Sequence, residues 1–180
     1  MVEVREARRE DRRAVRDVHV ASVRGLGGEA YDEQVVDAWA GDEERDPDNY
    51  RVEGDDVAFL VAVEDSAGGD GHENDNGTGD EVVGFGELRV GEPEEYEVSA
   101  DAEIRAMYVA PDHASEGVGT ALFRELESRA RERDVESVVL TASLNAVPFY
   151  ERHGFERLRE KRHEFGGEVT GRVVEMRKRP

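Results

Sequence analysis

At 180 residues, with 37% hydrophobic and 38% charged residues, the chain is long enough for one domain with a real core, under a densely charged surface. A net charge of −20 excludes a nucleic-acid binder resting on a lysine and arginine footprint, and the absence of cysteine excludes disulfides, thiolate nucleophiles and zinc–thiolate sites. No apolar run nears the roughly 18 residues of a membrane span, and the charged start MVEVREARREDRR has no apolar segment behind it, so a soluble, cytoplasmic protein is expected. In chain order, VEVREA (2–7) reads as a short strand. Asp11 is placed as a helix N-cap before Ala14, Val15, Val18, Val20 and Val23, and Gly25, Gly27 and Gly28 end that segment. A second helix is predicted over 30–40, with Tyr31, Val35, Val36 and Trp39 on one face, followed by a polar loop over 41–56. VAFLVAVE (57–64) is a buried strand, and the acidic Gly- and Asp-rich stretch after it, at about 65–80, is expected to be a mobile loop. Strands follow at 82–90 and 102–110, then a helix from Gly117 to about Arg133 and a continuous apolar strand, SVVLTAS, at 137–143. A short helix over 146–153 ends at Gly154, and 155–165 and 171–179 are the last strand candidates. No repeat or domain boundary is visible, so residues 1–180 are read as a single domain.

The chemistry concentrates in MYVAPDHASEGVGTALF, residues 107–123, where a strand stops at a proline and a polar loop opens into a helix. Gly117 and Gly119 each cost about 1 kcal/mol relative to alanine in a helical position. A helix start offers unpaired N–H groups and partial positive charge, and glycines there let a phosphate approach the backbone. The alternative is a tight turn with close helix packing. A P-loop is excluded because no lysine lies near, and the dinucleotide fingerprint lacks its third glycine, where this chain has Leu122.

Val109-Ala110-Pro111, Gly117-Val118-Gly119 and the later block ASLNAVPFYERHGF (142–155) together resemble the GNAT superfamily of acetyl-CoA-dependent N-acetyltransferases. The two blocks stand in the family's order about 25 residues apart, and the strong resemblance covers 102–155. It implies an α/β (α+β) fold: a central mixed, mostly antiparallel twisted sheet of six to seven strands flanked by about four helices. One departure is plain. The family's Gln or Arg position is Ala114 here, and the usual glycine after it is Ser115. The backbone from Ser115 through Glu116, Gly117, Val118 and Gly119 to Thr120 remains available for the pyrophosphate, and the Ser115 hydroxyl adds a donor.

The resemblance further implies that backbone groups of Met107 and Val109, flanking Tyr108, pair with the pantetheine arm, and that a β-bulge in that strand polarises the thioester carbonyl. Asn145 and Phe149 are placed at the co-substrate, although Asn145 also suits a cap for the helix at 146–153. Tyr150 stands where the family's thiolate-protonating tyrosine lies; its alternative use is packing. Glu103, eleven positions before Ala114, is the candidate base. Strand alternation would put Glu103, Arg105, Met107 and Val109 on one face. His113 and His153 are read as possible relays or as structural residues, and no metal-ligand spacing is present.

The implied partners are acetyl-CoA and an amine acceptor, with no metal, nucleic acid or membrane; a homodimer stays open. The implied reaction is acetyl transfer to a primary amine of a small molecule or peptide by direct attack, the alternative being a catalytically silent acyl-CoA-binding sensor. The acceptor groove is expected from residues 20–50 and the 155–175 hairpin, with Tyr31, Trp39 and Tyr50 as candidates. High Asp and Glu with only two lysines, Lys161 and Lys178, is similar to proteins of salt-accumulating halophiles, where molar salt shortens the Debye length to about 3 Å. Structure is therefore expected to be lost in dilute buffer, where the acidic surface repels itself.

Overall fold

The computed structural model describes residues 1–41, 45–65 and 80–179; the expected acidic loop falls almost wholly outside the described residues. One seven-stranded sheet organises the chain: β1 (Val2–Glu6), β2 (Val57–Asp65), β3 (Asp80–Val90), β4 (Ala102–Val109), β5 (Val138–Ser143), β6 (Glu156–Gly166) and β7 (Val169–Lys178). The spatial order is β1-β2-β3-β4-β5-β7-β6, antiparallel everywhere except between β4 and β5. Four α-helices cover it: α1 (Arg12–Leu26), α2 (Glu33–Ala40), α3 (Val118–Glu132) and α4 (Val147–Arg152). This is the mixed architecture expected above.

The apolar run of β2 is explained by burial on both faces. Ala58, Leu60 and Ala62 join the core under α3, whereas Val57, Phe59, Val61 and Val63 join the core under α1. At about 25 cal/mol per Å² such burial is the main force holding the helices to the sheet.

Several local expectations change. Asp11 does precede α1, but its carboxylate accepts from Arg8 N at 2.7 Å and pairs with both Arg5 guanidinium nitrogens at 2.8 and 3.0 Å. Asp11 is the N-cap residue of α1, but its carboxylate locks the preceding turn and makes no cap bond to the helix. The second helix starts at Glu33, capped by Asp32, which accepts from Val35 N at 3.0 Å. Gly25 lies inside α1, where a Cβ would sit 2.5 Å from Pro111 Cγ. The missing side chain thus lets α1 rest on the loop that follows β4.

His19 is the buried exception on the inner face of α1, 8% exposed. Its Nδ1 lies 2.8 Å from the Tyr50 hydroxyl and 3.1 Å from an Arg45 guanidinium nitrogen, and its ring packs on Tyr108 with centroids 4.4 Å apart. Burial first, and the Arg45 charge second, push the imidazole from 6.5 down to about 3. The folded state therefore holds His19 neutral. Its contribution is complete above the unfolded value of about 6.5 and drains away as pH falls toward 3. By pH 4.5 the loss should be on the order of 2–3 kcal/mol. Urea unfolding of the wild type and of His19→Gln across pH 7 to about 4.5 checks this: the variant should lose much of the slope, and parallel curves would contradict it.

Candidate active site

Strands β4 and β5 pair over only three positions, Ala102 with Val138, Glu103 with Val139 and Ile104 with Leu140. Beyond Ile104 they diverge, so the β5-side edge of β4 from Arg105 to Val109 faces a gap and not a strand. Ladder groups on such an edge seek a partner.

A bulge sits at the start of this gap. Glu87 pairs with Ala106, yet Leu88 pairs with Ile104, so Arg105 is the extra residue. The bulge resets the alternation. Met107 and Val109 pack with Ala102 and Ile104 on the α3 side, while Ala106 and Tyr108 pack on the α1 side. The face expected to be shared by Glu103, Arg105, Met107 and Val109 is therefore split: Glu103 and Arg105 line a cavity together with Tyr108.

The open edge leads to the start of α3. Gly117 is its N-cap with φ +87°, and Ser115 takes φ +66°, a left-handed geometry that costs a serine more than the family's usual glycine. No side chain caps α3, so the first-turn N–H groups of Val118, Gly119 and Thr120 lack an intrahelical partner, and a Cβ on Gly117 would meet nothing within 4 Å. Gly119 has a different reason: its Cβ would lie 3.3 Å from the Phe149 ring. Phe149 thus buttresses the helix start from below. Glu116 and His113 engage each other at 3.2 Å. His153 Nδ1 donates to Phe149 O at 2.8 Å, and its Nε2 lies 3.4 Å from the Thr120 hydroxyl. Both histidines thus have protein partners beside the helix start.

Asn145 does not cap α4, whose N-cap is Ala146 with no side-chain bond. Its Nδ2 donates to Leu26 O at 3.4 Å, and its Oδ1 is buried without a partner. A buried acceptor left unmade costs about 1–3 kcal/mol, so this atom is suited to a ligand N–H.

Tyr150, on α4, is 7% exposed, with its ring edge-on to Phe149 and Phe155. Burial, and secondarily the Tyr108 phenol, push its phenol well above the usual tyrosine range. Tyr108 in turn accepts a bond from Trp39 Nε1 at 3.2 Å. Tyr150 therefore holds its proton through the range where a free tyrosine ionises.

Beside the gap opens a cavity of about 580 Å³. Its walls come from the β3–β4 loop (Glu92, Glu94, Tyr96), from β4 (Glu103, Arg105), and from the β6–β7 hairpin (Lys161, Phe165), with Trp39 at one side. The hairpin and Trp39 were expected, and Tyr31 packs behind Phe165 with centroids 5.5 Å apart. Tyr50 lies instead under α1 against His19. The β3–β4 loop, residues 91–101, was missed because it carries no motif. Its signal was a tyrosine alone among carboxylates in GEPEEYEVSAD.

Among the described residues, then, the site is a mixed sheet splayed at its one parallel pair, with an uncapped helix start at the mouth and a walled cavity alongside. An acetyltransferase (GNAT) domain family model matches residues 76–179, and the chain belongs to that family. The uncharacterized N-acetyltransferase YjcF of Bacillus subtilis (strain 168) is 36% identical over 59 residues, 33% of this chain and 42% of that one, so the match spans less than half of the relative's length. A GCN5-related N-acetyltransferase from Rhodopseudomonas palustris has TM-score 0.78 at 22% identity, covering 99% of this chain and 95% of that one. PaiA N-acetyltransferase from Thermoplasma acidophilum, solved with coenzyme A, has TM-score 0.68 at 20% identity over 100% and 99% of the two chains. Arabidopsis thaliana NAA60, solved with a bisubstrate analogue, has TM-score 0.69 at 18% identity over 100% and 99%.

Proposed function

We propose that this chain transfers the acetyl group of acetyl-CoA to a primary amine of a small molecule or peptide, by direct attack of the amine on the thioester. The observation that carries this reading is the unpartnered edge of β4 beyond Ile104, running into the left-handed start of α3. The donor set fits the co-substrate. Backbone groups of Met107 and Val109 suit the pantetheine amides, the orphaned Asn145 Oδ1 suits a pantetheine N–H, and the amides of Val118 to Thr120 with the Ser115 hydroxyl suit the pyrophosphate.

Glu103 lines the acceptor cavity and takes a proton from the incoming ammonium. The freed amine forms its C–N bond to the carbonyl carbon as the C–S bond breaks, and the nitrogen's second proton passes to solvent. Tyr150 supplies a proton to the departing sulfur and is reprotonated from water. Calorimetric titration with acetyl-CoA at molar KCl should show binding, and an amine panel should release free thiol. Failure to bind overturns the reading; binding without thiol release from any amine would favour the silent acyl-CoA sensor.

A further inference from the structure

We propose that Tyr96 is the positioning residue for Glu103, holding its carboxylate at the mouth of the β4–β5 gap; this rests on Glu103 being the base. The Tyr96 hydroxyl donates to Glu103 Oε1 at 2.7 Å and accepts from the Thr141 hydroxyl at 3.3 Å. Glu103 sits within the three-residue parallel pairing, and Thr141 is the first residue of β5 beyond it. One phenol therefore spans both strands where they part. The direction of the chain is forced: an ionised carboxylate only accepts, so the Tyr96 proton goes to Glu103 and its oxygen remains for Thr141. One carboxylate oxygen is then occupied, and Oε2 is left for the acceptor's ammonium.

The phenol is held from several sides. The next residue, Glu97, donates its N–H to Glu175 Oε2 at 3.4 Å, and Lys161 Nζ lies 5.4 Å over the Tyr96 ring. The loop's ends are tied as well. Gly91 N bonds to Asp101 O at 2.8 Å, and the Asp101 carboxylate accepts from the backbone N–H groups of Glu136 and Ser137 at 2.9 and 3.0 Å. A glutamate free in an open cavity samples several rotamers; one locked by a second residue meets its substrate already placed. The consequence belongs in turnover and not in donor binding.

The test is steady-state kinetics at molar salt for Tyr96→Phe, Thr141→Val, Glu103→Gln and the Tyr96→Phe/Glu103→Gln double variant, with thermal melting of each. Tyr96→Phe should lower kcat about tenfold while KM for acetyl-CoA stays within about twofold. Thr141→Val should show a smaller loss of the same kind, and the double variant should be no slower than Glu103→Gln alone. Wild-type turnover in Tyr96→Phe beside a slow Glu103→Gln overturns the positioning role and leaves the base in place, as do losses that simply add. Wild-type turnover in Glu103→Gln overturns the base and this proposal together. Should Tyr96→Phe fail to fold, Thr141→Val decides: unchanged kcat there overturns the proposal.

Discussion

Replacing Tyr150 by phenylalanine is expected to lower kcat about a hundredfold, the lower bound usual for a positioned acid. KM for acetyl-CoA should hardly move, because the ring and its contacts with Phe149 and Phe155 are kept. The pH dependence carries a second expectation. A free tyrosine ionises near 10, and burial raises Tyr150 above that, so the donor form persists through pH 10. In the wild type, no alkaline fall of kcat below about pH 10 should trace to this residue. The higher pKa also makes the phenol a weaker acid, but a thiolate leaving in the same dry site is desolvated too, which keeps the transfer feasible. A Tyr150→Phe enzyme with full turnover across the pH range would leave the residue with packing alone.

The largest effect on stability is expected at Glu175. This carboxylate, 0% exposed on β7, accepts from Arg159 at 2.8 and 3.0 Å and from Lys161 Nζ at 2.7 Å. Burial alone would push it up, but the Arg159 and Lys161 hydrogen bonds overcome that and hold it below the usual carboxylate range. Its stabilisation is thus present above the ordinary carboxylate pKa and lost as pH falls below it. Glu175→Ala leaves two cations without their partner. Breaking a buried pair costs about 3–5 kcal/mol, and because Arg159 is 44% exposed and can regain water, a loss of about 2–3 kcal/mol is expected. Denaturant unfolding at pH 7 measures it, and a change within about 0.5 kcal/mol, as for a surface pair, would contradict the assignment. Since Glu175 also holds Glu97 N, the variant should weaken acceptor binding, seen as a higher acceptor KM at unchanged acetyl-CoA KM.

Much of this architecture was legible before any coordinates. Each of the strands was placed within about two residues at either end, because period-2 or continuous apolar runs bounded by Gly, Pro and acidic turns are local signals. The helix start at Gly117 was legible for the same reason, as was the block from Asn145 to Phe155. The glycines, however, separate into two physical causes: Gly117 for a left-handed cap, and Gly119 for room above Phe149.

Other features depend on residues far apart in the chain. The bulge at Arg105 exists only in register with Glu87 on β3, and it alone puts Met107 and Val109 on the face opposite Glu103. The cavity needs a loop from residues 91–101 to lie against a hairpin some 60 residues later, held by Tyr96, Glu97 and Glu175, a pairing no local pattern announces. Burial of His19 beside Arg45 is likewise a product of packing. Amino-acid order alone settled the elements, their sequence along the chain and the family, because periodicity, turn chemistry and short motifs are written in neighbouring residues. Folding in three dimensions decided the faces, the gap beside β4, the walls of the cavity next to it and the partners of each ionisable group, because register, burial and charge pairing are properties of residues that meet only once the sheet has formed.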